Sequence, residues 1–498
     1  MKKKLTATVV ALLLEIGAHA QTHQQETNPG VQMPDHPSSM EQMEMHSPQD
    51  IASDVTGVQE PENPNRKTGS NLPVPDLLEA AKAVPAKSLD EFDAFAVQNN
   101  PTLKQAEAIA RVSAGLARQA GLWPNPSIGY QGEQIRGGSF GGGEQGGFVQ
   151  QTIVLGGKLA LRRNVLEQQR KEDEIGIQEQ QLSVRGAVQV QFYTALAQLR
   201  IVEVRRKLLE IANDAAATAH QLANVGQADA PDVLQAEVEA EQAQLDFLRA
   251  QRVYIQSYEE LAAVAAEPQI PLALLKGDLD HPPAIDTNRY LDDLLQNSPS
   301  IKRAQQSALR ADAELARNKR EALPDLNVRA GVQQNQEILD SSMRPVGVQS
   351  FATVGIQIPL FNRNQGNVQA ARAQVERERA EVERIRLQLV RTAQPVLQQY
   401  LMSRMEEERY RTELIPRAQR AYELYLGKYR NMAAAYPSVI VSQRTLFQLQ
   451  DNYARTLGEL WITTVQLENY LLTNGMAAVQ PAGSTGTQIN LPTGGGVE

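Results

Sequence analysis

The chain has 498 residues, 42% of them hydrophobic, 21% charged and only 5% aromatic, with a net charge of −9 and no cysteine. This composition supports a sizeable core, while the acidic balance argues against a nucleic-acid binder, which needs a basic face for phosphates. Without cysteine there are no disulfides, thiol nucleophiles, thiolate metal sites or acylated cysteine.

Lys2, Lys3 and Lys4 precede an apolar run from Leu5 to Ile16 and then Ala18-His19-Ala20. A basic start, a short apolar middle and an A-x-A end predict a secretory signal over residues 1–20; the run is shorter than the ~20 residues that span a bilayer. Residues 21–88 are rich in Pro, Gln, Asn, Ser, Asp and Glu, which predicts a disordered lead that cannot bury enough apolar surface to fold. Within it lie His23, Met33, His36, Met40, Met43, Met45 and His46. Thioether and imidazole groups suit Cu(I) or Ag(I) better than hard cations, and a polar linker that happens to carry methionines is the competing reading. The Gly/Thr/Pro/Gln-rich stretch 475–498 reads as a disordered tail.

The middle is a duplication, with one repeat over 89–280 and a second over 281–474. Pro101-Thr102-Leu103-Lys104 returns as Pro299-Ser300-Ile301-Lys302, and Pro126 returns as Pro324. Leu155 returns as Leu360, Tyr193 as Tyr400, and Pro231-Asp232-Val233-Leu234 as Pro437-Ser438-Val439-Ile440. Matches in one order with a slowly drifting offset mark two homologous subdomains rather than solenoid units. Each half reads as a helix (102–122 and 300–323), two stretches of period-2 alternation, and two long helical stretches broken by a short hinge.

The alternating stretches predict strands at about 127–135, 148–155, 326–334 and 350–358. Their length approaches the ~9–11 residues of a tilted membrane strand, with apolar residues on one side and polar on the other. Surface hairpins on a soluble helical protein are the other reading. Four strands cannot close a barrel, for which about eight is the working minimum, and an open edge in lipid costs several kcal/mol per unsatisfied group. Membrane strands would therefore require several chains to share one barrel.

In the last helix Leu446, Gln450, Tyr453, Leu457, Leu460, Thr464, Leu467 and Leu471 alternate steps of four and three, a coiled-coil seam. Leu234, Val238, Leu245, Leu248 and Ile255 suggest a poorer one in half one. Residues 159–222 can run as one helix of ~95 Å at 1.5 Å per residue. The fold class expected is mainly α with a small β part.

Ile358-Pro359-Leu360-Phe361-Asn362-Arg363-Asn364-Gln365-Gly366, with Leu155-Gly156-Gly157-Lys158 at the matching place in half one, is similar to the strand-to-helix junction of the heavy-metal-efflux (CzcC-like) branch of the TolC-like outer-membrane factor family. The whole ordered arrangement over 89–472 resembles that family. The resemblance implies a homotrimer in which each chain gives four strands to a twelve-stranded outer-membrane barrel and four helices to a periplasmic tunnel, in a Gram-negative cell. It implies a passive exit duct, not an enzyme and without a cofactor, that meets a periplasmic adaptor and an inner-membrane pump of the resistance–nodulation–division type. The cargo implied by the branch is a heavy-metal cation, Cu/Ag or Co/Zn/Cd; a duct for organic drugs or dyes, and a soluble periplasmic helical or metal-binding protein, are the alternatives.

The resemblance also implies a gate at the hinges, 223–233 and 429–439, with Asp229, Asp232, Tyr429 and Arg430 as its candidates. Asp232 and Tyr429 match family positions that hold the closed tip. Ala433-Ala434-Ala435 stands where an arginine is common, with Arg430 nearby but offset. Asp229 and Asp232 equally suit N-capping of the helix that starts near Pro231. Gly137-Gly138-Ser139-Phe140-Gly141 and Gly141 to Gly146 mimic G-x-S-x-G and G-x-G-x-x-G, but both arise from one glycine run that leads into a strand rather than a helix. His220 and His281 read as isolated surface residues.

Overall fold

Proline, glycine and asparagine set the boundaries of the elements. The structure, a computed structural model, describes residues 76–135, 143–226, 229–338, 344–431 and 436–482, all within the second of the chain's two units, Pro73–Glu498. Half one comprises α1 (Glu79–Lys82), β1 (Lys87–Ser88), α2 (Leu89–Asn99), α3 (Pro101–Ala120), β2 (Ser127–Glu133), β3 (Glu144–Ile153), α4 (Lys158–Asn224), α5 (Ala230–Val264) and β4 (Leu275–Lys276). Half two comprises α6 (Thr287–Asn297), α7 (Pro299–Arg320), β5 (Leu326–Asn335), β6 (Gly347–Ile356), α8 (Gln365–Arg409), a π-helical turn (Tyr410–Leu414), α9 (Ile415–Arg430) and α10 (Tyr436–Glu468).

The repeated Pro-x-x-Lys segments open α3 and α7, where proline suits the first helical position; Asn100 caps α3 by accepting the Thr102 N–H at 2.9 Å. Each strand-to-helix junction turns through left-handed backbone, at Gly156 (φ 70°) and Gly157 (φ 68°) in half one and at Asn364 (φ 62°) in half two. Glycine and asparagine tolerate that region best.

The 67 residues of α4 contain no proline. Its counterpart is divided into α8, the π turn and α9 of 45, 5 and 16 residues, equal to α4 within one residue. Pro395 lies inside α8, and Pro416 follows the π turn directly. Proline removes a backbone donor and crowds the carbonyl four residues earlier, so the ladder widens by one residue there. The sequence repeat predicted two equivalent long helices; proline makes them different.

The four longer strands form one antiparallel sheet in the order β2-β3-β5-β6. The two hairpins join along β3 and β5, in register from Glu144↔Asn335 to Ile153↔Leu326. A short parallel pair, β1–β4, aligns Lys87 with Leu275 and ties the N-terminal segment to the chain after α5.

Two main cores repeat the duplication. Phe92, Val184, Phe192, Tyr254, Tyr258, Leu261 and Leu457 bury one between α2, α4, α5 and α10, and Tyr290, Leu294, Leu397, Tyr400, Leu460 and Leu467 bury the other between α6, α8 and α10. In α10 the expected seam is buried at Leu446, Leu457, Leu460, Thr464 and Leu467. In α5 the buried line runs instead through Ala236, Ala243, Phe247, Gln251, Tyr254 and Tyr258, leaving Leu234, Val238 and Leu245 exposed. Small and aromatic residues let α5 lie closer to α4 than the leucine line would.

The ordered chain is longer than its composition suggested. Residues 76–88, assigned to the lead, are held: Leu78 is buried, Asp76 accepts from Lys82 at 2.6 Å, and Gln251 donates to Asp76. Residues 475–482, assigned to the tail, lie along α4. Gln180 and Thr102 donate to the Gly475 carbonyl, and Asp173 accepts the Ala482 N–H at 3.1 Å. Backbone groups bonded to buried side chains replace the apolar area that these segments lack. Residues 1–75, with the expected signal, and 483–498 lie outside the described residues.

Asp93, on α2, has one carboxylate oxygen buried and without a hydrogen-bond partner. Burial pushes its carboxyl from 3.8 up to about 6, with Arg185 opposing and Asp90 adding. The folded pKa lies above the unfolded one, so this group's contribution is fully present below about pH 4 and disappears as pH rises through about 6. Between pH 4 and 8, wild type should lose about 1–2 kcal/mol relative to Asp93→Asn, allowing for solvent screening. Paired denaturation curves at the two pH values measure it.

Candidate functional site

Successive strand residues point to opposite faces, so the register sorts every residue of the sheet. One face carries Ile128, Val149, Ala330 and Ala352 in one cross-strand row, Val328 opposite Val354, and Leu326 opposite Ile356. It is bare: Ile128 is 82% exposed, Val348 77% and Val354 66%. The other face has rows Ser127-Gln150-Arg329-Thr353, Gly129-Phe148-Gly331-Phe351, Gln131-Gly146-Gln333-Gln349 and Glu133-Glu144-Asn335-Gly347.

The polar face is internally bonded. Gln333 and Asn335 donate to the two oxygens of Glu144 at 2.5 and 2.8 Å. Thr152 donates to Asn327 at 2.8 Å. Phe148 and Phe351 lie flat over their glycine neighbours; a Cβ on Gly129 would stand 2.4 Å from the Phe148 ring, and one on Gly331 would stand 2.7 Å from Phe351. Between these rings sits Arg329, its guanidinium 3.7 Å above Phe148 and 5.7 Å from Phe351, donating to Gln131. This arrangement was missed in the sequence, although a lone arginine in a half-apolar strand was a visible signal.

The strands differ slightly from the expected spans. β3 begins at Glu144, four residues before the expected 148, because Gly146 and Gly147 pair into the ladder with Gln333 and Val332. β2 stops at Glu133, where Gln134 turns with φ 53°.

The sheet is fixed to the helices by Lys158. Its buried ammonium lies 2.6 Å from Asp325 Oδ1 and donates to the Leu323 carbonyl at 3.0 Å, while the Leu155 N–H also donates to Asp325. One carboxylate thereby joins the junction of half one to the start of β5. In half two Asn364 donates to the Asn318 carbonyl at 2.8 Å.

At the far end α4 stops at Asn224, Gly226 turns with φ 73°, and α5 starts at Ala230. There Ala219, Ala236, Tyr436 and Ile440 form a small core, flanked by Val233 and Tyr429. The Tyr429 and Tyr436 rings are 5.4 Å apart. Burial pushes the Tyr436 phenol up to about 12, with Tyr429, Glu239 and Asp232 adding; burial and then Asp232 also raise Tyr429. Asp232, Tyr429 and Tyr436 are thus brought together within one chain.

Asp229 occupies the N-cap of α5, but its backbone carbonyl rather than its carboxylate accepts the Asp232 N–H, at 3.0 Å. Asp232 lies in the first turn, where its charge complements the helix dipole. The expected side-chain caps are therefore absent among the described residues, because the 3.0 Å turn bond already closes the helix start. Arg430 ends α9, and its side chain, like residues 432–435, lies outside the described residues. His220 is not isolated: it contacts Glu237 at 2.9 Å between α4 and α5, and His281 contacts Asp278 at 2.8 Å. Further up, Arg205 joins three helices by pairing with Asp246 at 3.2 Å and with Asp451.

His23, Met33, His36, Met40, Met43, Met45 and His46 lie outside the described residues, as do 136–142 with most of the glycine motifs. Among the described residues no cluster of three or more His, Asp or Glu side chains could hold a metal, and no helix is long and apolar enough to cross a membrane.

Replacing Tyr429 by Ala removes the aromatic partner of Tyr436. Losing a packed pair worth about 1 kcal/mol or more should speed amide exchange across residues 215–224 and 436–442 by roughly tenfold, with the sheet unaffected. Hydrogen-exchange mass spectrometry reads both regions at once.

The family model described as "Outer membrane efflux protein" matches residues 95–267 and 290–471. The chain is 26% identical over 401 residues to the cobalt-zinc-cadmium resistance protein CzcC of Cupriavidus metallidurans, covering 80% of this chain and 90% of that protein. It is 24% identical over 307 residues to the nickel-cobalt-cadmium resistance protein NccC of Alcaligenes xylosoxydans xylosoxydans, covering 60% and 68%. The crystal structure of the outer membrane protein VceC of Vibrio cholerae superposes with a TM-score of 0.60 at 17% identity, covering 79% of this chain and 97% of that one.

Proposed function

The chain belongs to the outer membrane efflux protein family, and from that membership and the sheet geometry we propose that it forms one third of a trimeric duct carrying heavy-metal cations out of the cell. The observation that carries the trimer is the sheet itself. Its apolar face is bare, and β2 and β6 are edge strands with no partner in the chain. Three of its strands have 10 residues, which suits a tilted span of the hydrocarbon layer. In lipid the edges must pair, and joining β6 of one copy to β2 of the next is a head-to-tail contact that closes a ring. Three copies give twelve strands.

The helices support the same assembly. Leu234, Val238 and Leu245 on α5, Leu387 on α8 and Val441 on α10 are exposed large apolar residues on long rods, suited to neighbouring copies in a tunnel wall. The tip, with Asp229, Asp232, Tyr429 and Arg430, is the proposed gate. There a periplasmic adaptor, and behind it an inner-membrane pump of the resistance–nodulation–division type, would engage. The pump supplies the energy; the duct supplies a water-filled path through the outer membrane, with its helices in the periplasm.

Metal cargo is supported by the printed roles of the two relatives, resistance to cobalt, zinc and cadmium and to nickel, cobalt and cadmium. We propose in addition that the Met/His set at residues 23–46 binds Cu(I) or Ag(I), since its ligand atoms are soft to borderline. Deleting the gene should lower tolerance to one of these metals, and full-length protein should restore it. Restored tolerance to organic dyes alone would favour the organic cargo. A chain lacking 23–46 should restore Co/Zn/Cd tolerance fully while losing Cu(I) binding measured by competition with a chromophoric chelator.

The sidedness of the sheet gives a direct test. Val332→Arg puts a charge on the proposed lipid face, at a cost of about 2–4 kcal/mol per strand near the midplane, and should abolish detergent-resistant oligomers. Gln349→Arg, on the opposite face, should leave them intact. Equal tolerance of both would overturn the barrel.

A further inference from the structure

The polar face of the sheet carries a single cation among the described residues, Arg329. No carboxylate lies within ion-pair distance of it, whereas most arginines of the helices have one. Its Nε is buried without a hydrogen-bond partner, one terminal nitrogen donates to the neutral Gln131, and the rest of the group is held against Phe148 and Phe351. Neither an amide nor an aromatic ring neutralises the charge. The rings fix its position, because each is itself pinned over a glycine on the neighbouring strand.

The carboxylates on the same face, Glu133 and Glu144, lie at the opposite end of the strands. Arg329 and Asn335, the partner of Glu144, are six residues apart, or ~20 Å along a strand. That exceeds the Debye length of ~10 Å at 0.1 M salt, so the positive level and the acidic end act as separate fields.

We propose that Arg329 is a charge filter in the barrel lumen: three copies form a positive collar that favours anions and anion-coordinated cargo over bare cations. This rests on the trimeric-duct reading. Rings of arginine or lysine are the general means by which pores favour anions. A metal ion crossing this level would therefore do so more readily when its charge is reduced by bound anionic ligands. The collar would stand toward the helical tunnel, so cargo meets it before the acidic end.

The chain has no cysteine, so one introduced thiol reports local potential. Thr353 is the cross-strand partner of Arg329 on the same face and is exposed. In full-length Thr353→Cys protein, reaction rates with a negatively charged sulfonatoethyl and a positively charged trimethylammonioethyl methanethiosulfonate are compared, each relative to a free thiol. Adding Arg329→Gln should lower the negative-to-positive rate ratio by about threefold to tenfold at 0.1 M salt. Arg329→Lys should keep the ratio, and detergent-resistant oligomers should persist in both. At 1 M salt the difference should vanish, as the Debye length falls to ~3 Å, which tests the charge on the Thr353→Cys protein without any change at Arg329. A ratio that neither Arg329→Gln nor salt alters would overturn the collar while leaving the duct standing. If Thr353→Cys reacts with neither charged reagent but does react with a lipid-soluble maleimide, this face does not line water, and the duct reading falls first.

Discussion

A strand must satisfy its backbone on both edges, and in a bilayer no water is available to do so. The four-stranded sheet cannot meet that demand alone, and most of the molecule follows from this. Its face of valine, isoleucine and alanine stays uncovered in the single chain, while the polar face bonds to itself through Glu144, Gln333, Asn335 and Gln349. A surface hairpin of a soluble protein would do the reverse, turning its apolar face onto the helices. Here the helices leave the sheet at its end, through Lys158 and Asn364, and cover neither face.

The same logic accounts for the helical part. Long helices give a rod, and a rod has little interior. Hence the cores are thin, rich in alanine and serine, and tied by ion pairs such as Arg205 with Asp246 and Asp451. Buried charges of this kind contribute less to stability than to fixing one arrangement of neighbouring helices. The apolar residues left outside, Leu234, Val238 and Leu245 among them, lie on α5 away from the line that α4 covers. They are exposed in one chain and suited to burial between chains. The wide part around α2, β1, β4, α6 and the 475–482 strap is where the chain folds back, and there the larger aromatic residues collect.

The departure from symmetry between the halves is informative. Half one keeps an unbroken helix, whereas half two bends it at Pro395 and relaxes it through a π turn before Pro416. A duplicated chain closing into a ring needs alternate rods to take different curvatures. The proline pair supplies that difference locally, without altering the buried positions of α10. The tip differs similarly, with tyrosines from half two resting on alanines from half one.

Much of this was legible in the residues alone. The export signal, the duplication, the strands by their period of two and the long helices by their length all depend on local pattern, and local pattern is written in sequence order. The polar-in, apolar-out sense of the strands followed from the same alternation. Tertiary structure decided what depends on partners distant in the chain. It put Arg329 between Phe148 and Phe351, three residues on three strands whose approach a linear reading does not order. It recruited 76–88 and 475–482 through hydrogen bonds to Gln251, Asp173 and Gln180, which composition cannot reveal because the acceptors and donors lie elsewhere. It also moved the α5 seam off its leucines, since the face a helix buries is chosen by its neighbour's shape as well as by its own hydrophobicity.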